Sequence, residues 1–287
     1  MQALNGSVSI RNTVGNTLNV NNTLGSIIGR DQVLFETLGT VFDSSGTVLE
    51  KANIELNGGI IQANAIEFVS PSGMVKADVD ALNGDVGVSA GDLSVAVQNG
   101  SLNISRMDLT GDPTFIVNGD LNFGIWPFTG TTIFTVLTPV FNTKGGVFVA
   151  YATGDIYSKG ILDSTVGSQV KTEGGLVDLR AGYNWKNNSV SSSGGSIKLG
   201  HISFDTAGGT FNASASAGKN SSGSISLGNI STVPTGAGLN GANVTIAADG
   251  SITTGNINAS GSAGNSSKTT GGAGGTITIY TLSLIHI

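Results

Sequence analysis

Four aspartates are the residues best placed to do chemistry. Asp78 and Asp80 stand two apart, and Asp85 and Asp92 follow closely. Alternate residues of an extended strand share a face, so Asp78-Val79-Asp80 would set two carboxylates side by side. Clustered carboxylates on an exposed face are what acid–base cleavage of a polysaccharide requires. The competing expectation is plainer: aspartate next to glycine-rich turns bonds nearby backbone or keeps the surface soluble. The second expectation is preferred, and no catalytic residue is assigned.

The remaining reactive residue types add little. His201 fills a position that later repeats give to Asn229 and Asn256, which marks it as a variable turn residue, and His286 lies among the last six residues. No Ser-His-Asp arrangement is supported, despite the many serines. The absence of cysteine removes disulfides, thiolate catalysis and most structural zinc sites together. Calcium-binding β-rolls repeat Gly-Gly-x-Gly-x-Asp, and Gly271-Gly-Ala-Gly-Gly275 lacks the aspartate that would supply oxygen ligands. No metal and no cofactor are therefore expected. Asn212, Asn220, Asn243 and Asn265 each open an Asn-x-Ser/Thr triplet, which a chain so rich in these residues produces by chance.

Composition dictates what positions these groups. Glycine supplies 44 of 287 residues, and charged residues are 11%, against an average near ~25%. The surface must be covered by Ser, Thr, Asn and Gly. With 39% hydrophobic residues there is enough apolar surface to fold. Five prolines without a Gly-X-Y period exclude collagen. The net charge of −6, with no basic cluster, argues against a nucleic-acid partner. No apolar run is long enough to span a membrane as a helix, and the Met1 end lacks a signal-peptide pattern. An export signal, if the protein uses one, is expected outside this chain.

Self-similarity identifies the architecture. Asn-Gly, then Ser or Asp, then apolar-x-apolar recurs at Asn5–Ile10, Asn83–Val88, Asn99–Ile104 and Asn118–Phe123, with a looser copy at Asn57–Ile60. Later copies read Gly195-Ser-Ile-Lys-Leu, Gly223-Ser-Ile-Ser-Leu and Gly250-Ser-Ile-Thr-Thr, 28 and 27 residues apart. The spacings from Asn83 to Asn99 and from Asn99 to Asn118 are 16 and 19. Each unit reads as a turn that tolerates positive φ followed by a short strand of period two. Such strands cannot stand alone, but stacked one per coil they pair with their equivalents and build a continuous apolar column. Helices of ten or more residues between strands are precluded by the recurring Gly, Ser and Asn.

The expected fold is all-β, a parallel β-helix (β-solenoid) of roughly ten to fourteen coils, about 50–65 Å long at ~4.8 Å per strand. Ile197, Leu199, Ile225, Leu227, Val244, Ile246, Ile277 and Ile279 are expected to line its interior, with Lys198, Ser226, Thr245 and Thr278 facing out. Residues 1–122 form the Asn-Gly coils. Residues 123–152, dense in aromatics, form an irregular coil or insertion, with a ligand groove as the sharper alternative. Residues 153–281 resume the coils, and Ala213–Ser222 and Ala259–Gly275 are expected as long corner loops. Leu282-Ser-Leu-Ile-His-Ile287 is what CTGTCTCTTATACACATC encodes, a transposon end used in preparing sequencing libraries, so 282–287 is expected to be non-native and the chain a fragment.

Gly241-Ala-Asn-Val-Thr-Ile-Ala-Ala-Asp-Gly-Ser-Ile-Thr-Thr-Gly-Asn-Ile-Asn-Ala-Ser260, followed by a Gly/Ser loop and Gly-Gly-Thr-Ile-Thr-Ile279, resembles the repeats of filamentous-haemagglutinin-like proteins. Gly174–Ala181 matches its opening strand and Gly154–Ile161 its continuation. The resemblance covers 154–279 well and 1–122 thinly. It implies a large exported bacterial β-helix protein of the two-partner-secretion type, commonly an adhesin, exported through an outer-membrane transporter. It departs from the family in one respect: none of Pro71, Pro113, Pro127, Pro139 or Pro234 follows an asparagine, so the Asn-Pro-Asn secretion signature is missing. The expected function is a stiff solenoid stalk, at the cell surface or outside the cell, presenting loops to a host-cell, glycan or matrix receptor. A polysaccharide lyase or glycosidase and a self-associating matrix or coat protein are the alternatives.

Overall fold

The computed structural model describes residues 1–3, 5–13, 16–23, 25–38, 40–42, 44–45, 48–124, 140–158, 168–265 and 270–281. Residues 282–287, with His286, and half of the aromatic segment, 125–139, lie outside these. The protein is all-β, with no helix among the described residues and hence none able to cross a membrane. It divides into two units, Met1–Pro127 and Phe128–Ile287.

Apart from one hairpin, the described strands of the first unit pair in parallel. Val8–Asn12 lies beside Gln32–Thr37, Leu18–Asn21 beside Ile54–Asn57, and Ser26–Gly29 beside the start of Ile60–Val79. The expectation of short strands fails here. Ile60–Val79 and Ala81–Val97 run unbroken for 20 and 17 residues and pair along their lengths, with register shifts at Asn83/Asp85 and Ala90/Asp92. Bulges let a strand bend while keeping its ladder, so no turn is needed at those corners. The pairing puts Val8, Val33, Ile66, Val86, Ile104 and Phe123 in one line, all buried. Beside them Phe35 stacks on Phe68, ring centres 5.3 Å apart and 16° from parallel. Burying each such side chain contributes about 1.5–3 kcal/mol. Val86 pairs with Ile104, an offset of 18 rather than the 16 read from the Asn-Gly copies. A two-residue slip leaves every side chain on its own face, so alternation alone cannot detect it.

The second unit is more regular. Ser168–Lys171, Val177–Ala181 and Ile197–Leu199 pair in parallel with Ile202–Asp205, Phe211–Ala215 and Ile225–Leu227. The second and third of these pair in turn with Val244–Ala248 and Ile252–Thr254, and Ile202–Asp205 with Ile230–Ser231. The offsets of 28 and 27 from Ile197 to Ile225 to Ile252 are those of the sequence repeat. Ile197, Leu199, Ile225, Leu227, Val244 and Ile246 are buried as expected, and Lys198, Ser226 and Thr245 face outward. Ile277 and Ile279 are corrected: they stand in register with Val244 and Ile246, yet are 46% and 47% exposed. Among the described strands Ile277–Thr281 pairs with Val244–Ala248 alone, which leaves its other edge without a described partner. Two further expectations shift. Ala213 and Ala215, assigned to a corner loop, are buried rungs of Phe211–Ala215, and Phe148–Ala152 of the aromatic segment is a regular strand paired with Val177–Ala181.

A recurring turn joins consecutive strands of this unit. Thr143-Lys-Gly-Gly146, Thr172-Glu-Gly-Gly175 and Thr206-Ala-Gly-Gly209 each carry positive φ at both central residues, 48° at Lys144, Glu173 and Ala207 and 97–109° at the glycine. Both values suit a type I′ turn, which glycine at the second central position makes easy. The buried threonine hydroxyl donates to the fourth residue's carbonyl, at 2.6 Å in the first turn and 2.5 Å in the second. Its polar atom is thus satisfied inside the stack.

Candidate functional site

The parallel pattern is interrupted by an antiparallel hairpin in each unit. Thr40–Phe42 pairs with Val48–Lys51, and Tyr183–Asn184 with Ser189–Val190. The second hairpin leaves the stack after Val177–Ala181 and returns before Ile197–Leu199, and its strands are ladder partners of each other alone. Its tip is tied internally. Tyr183 donates its hydroxyl to Asn188 Oδ1 at 2.9 Å, Lys186 N–H donates to Asn184 Oδ1 at 3.1 Å, and Ser189 donates to Asn187 Oδ1 at 2.7 Å. Lys186 Nζ lies 5.7 Å from the Trp185 ring, and Val190 is 58% exposed.

Four side chains fix the hairpin to the outer face of the sheet. Tyr151 and Arg180 are ladder partners, and Asp178 is two residues before Arg180 on the same face. Arg180 donates through Nε to Asp178 Oδ1 at 3.2 Å and through Nη2 to Oδ2 at 2.9 Å. Tyr151 donates its hydroxyl to the same Oδ2 at 2.6 Å. The guanidinium carbon sits 5.0 Å from the Tyr151 ring and 5.2 Å from the Tyr183 ring, the two rings meeting edge to face at 5.3 Å. Asp178 is buried and accepts three hydrogen bonds, from Tyr151 and Arg180, which offset the cost of burying a carboxylate. Burial first, then the hydrogen bond to Asp178, pushes the Tyr151 hydroxyl up to about 12. The same carboxylate holds Arg180 above its ordinary value. Two of the five guanidinium N–H groups are used on Asp178, leaving three on a side chain that is 37% exposed.

The acidic residues singled out by the sequence are not brought together in this way. Asp78 accepts from Gln98 Nε2 at 2.6 Å, Asp80 from Gly59 N–H at 3.2 Å, Asp85 from Asn103 Nδ2, and Asp92 from Asp112 N–H at 3.0 Å. Each serves a different neighbour in the stack. Among the described residues no group of three or more His, Asp or Glu is placed to hold a metal ion. The repeat alignment of His201 with Asn229 is not kept in the ladder: Phe204 pairs with Ile230, which sets Ser203 opposite Asn229, while Asn229 Oδ1 accepts from Asn256 N–H at 2.9 Å. The His201 Nε2 is buried without a partner among the described residues, and burial pushes the imidazole below the ordinary histidine value.

The sequence reading missed the Tyr151–Asp178–Arg180–Tyr183 group. The signal available was Asp178-Leu-Arg180 on one strand face, followed by Tyr183-Asn-Trp-Lys-Asn-Asn, the densest aromatic and amide run in the second unit. Comparison of the chain with family models, with curated proteins and with solved structures returns no match. The functional reading therefore rests on the residues themselves.

Proposed function

We propose that the two units are parallel β-solenoids and that the chain is a structural, adhesive segment of a large secreted or cell-surface bacterial protein of the filamentous-haemagglutinin-like kind. One observation carries this reading. A single buried line is revisited at Phe148, Val177, Phe211 and Val244, with Ile277 next in register, while a self-braced hairpin stands out from it. Six such visits run from Val8 to Phe123 in the first unit, in keeping with ten to fourteen coils for the whole chain. A stack of this kind spaces and stiffens. The hairpin, whose strands pair with each other alone, is the element to present to a receptor. Export would use an outer-membrane transporter, and the chain is proposed to be non-catalytic.

Beads coated with the chain should attach to host cells or matrix, and beads carrying the chain with 183–190 replaced by a short Gly/Ser linker should not. Equal attachment by both would overturn the role given to the hairpin. A second reading, self-association into a matrix, is favoured by the exposed Ile277 and Ile279.

A further inference from the structure

We propose that the hairpin Tyr183–Val190 and Arg180 at its base form a binding site for an acidic saccharide, one bearing uronate or sialate carboxylates. The inference rests on the attachment reading above and names its ligand. Tyr183-Asn-Trp-Lys-Asn-Asn-Ser-Val190 holds two aromatic rings, three asparagines and a serine, with no acidic residue. Aromatic faces pack on the C–H surfaces of sugar rings, and an amide both donates and accepts, which matches a hydroxyl.

Charge selects the acidic members of that class. The whole chain carries −6, yet the hairpin and its base hold Lys186 and Arg180 against a single carboxylate, Asp178, which is buried and committed to Tyr151 and Arg180. The local surplus is positive, and it favours an anionic partner. Asp178 and the two tyrosine rings fix the guanidinium plane, and its three remaining N–H groups suit the forked bonding of a carboxylate. Two cations are too few to hold a nucleic-acid backbone. Because the hairpin's own hydrogen bonds order it beforehand, little conformational freedom is lost on binding.

The test titrates the full chain with hexasaccharides of galacturonate, hyaluronan and sialate, with their carboxyl-reduced counterparts, and with a poly-glutamate peptide. At least one carboxylated saccharide should bind, and carboxyl reduction should weaken it by about tenfold or more. Trp185→Ala and Lys186→Ala, at the tip and away from the ladder, should each weaken binding by about tenfold with unchanged circular dichroism. Arg180→Lys, which keeps the charge and loses the fork, should weaken it comparably. Binding to none of the three saccharides, indifference to carboxyl reduction or to the tip variants, or equal affinity for poly-glutamate would overturn the proposal. If the beads still attach through the hairpin while the saccharides fail, the ligand class alone is wrong. If hairpin-dependent attachment fails as well, the attachment reading falls with it.

Discussion

Arg106 Nη2 lies 2.8 Å from Glu67 Oε2, reaching across Gly87, which sits between them in the ladder. Residues 39 apart in sequence thus stand two strands apart, and the bond exists because the intervening position has no side chain. A Cβ placed on Gly87 would come within 2.3 Å of that carboxylate. A double-mutant cycle on Glu67→Ala and Arg106→Ala should give a coupling of about 0.2–1 kcal/mol by urea unfolding, as befits a partly exposed pair. In a Gly87→Leu background the coupling should vanish, since the inserted side chain displaces the carboxylate. An unchanged coupling there would show that the two residues are not separated by Gly87.

The facing of the strands is testable at neighbouring positions. Leu227 is 2% exposed, while Ser226 points outward. Leu227→Asp would bury an unpaired charge and should cost about 3–5 kcal/mol, while Ser226→Asp should change stability by less than about 0.5 kcal/mol. Protease resistance over a temperature series separates these outcomes, and equal tolerance at both positions would mean that the register is wrong.

How much of this was legible follows from where the sequence repeats. Ile197, Ile225 and Ile252 recur with a Gly-Ser turn before each, so their pairing could be read directly. Phe211-Asn-Ala-Ser-Ala215 keeps the period of two, but alanine carries too little hydrophobic signal to stand out from a Ser/Gly loop. The long strands Ile60–Val79 and Ala81–Val97 bend at bulges rather than at turn residues, so the sequence carries no punctuation there. Thr-x-Gly-Gly, at three turns of the second unit, was a usable signal that the Asn-Gly pattern overshadowed. The Tyr151–Asp178 bond joins residues of two strands, and no local motif encodes it.

Tyr151 gives a pH-dependent signature. Its hydroxyl is raised from 10 to about 12, so it favours the folded state fully below pH 10, and that contribution is lost as pH climbs towards 12. Tyr151 should ionise near pH 12 in a near-ultraviolet titration of the folded chain, and Tyr151→Phe should remove that step. The substitution should also cost about 1 kcal/mol, because Asp178 loses one of its donors. A titration in which Tyr151→Phe leaves the high-pH step intact would contradict the assignment.

The strand Ile277–Thr281 carries Ile277, Ile279 and Tyr280 at 45–47% exposure. A parallel edge that pairs with no further described strand and is backed by apolar side chains is a template for a strand of another copy. The chain should therefore associate end to end as concentration rises, followed by light scattering. Lysine at both 277 and 279 should return it to a monodisperse monomer. A monomeric unmodified chain at high concentration would overturn this expectation.

The stacking itself is most directly tested by a distance. Val149, Asp178, Asn212, Thr245 and Thr278 form one outward line of ladder partners, so Val149 and Thr278 stand four steps apart. The chain has no cysteine, so Val149→Cys and Thr278→Cys accept spin labels at those two sites alone. A parallel solenoid predicts a single narrow separation of roughly 20 Å between residues far apart in sequence, from a strand spacing of ~4.8 Å. A broad distribution, or one centred beyond about 35 Å, would contradict it.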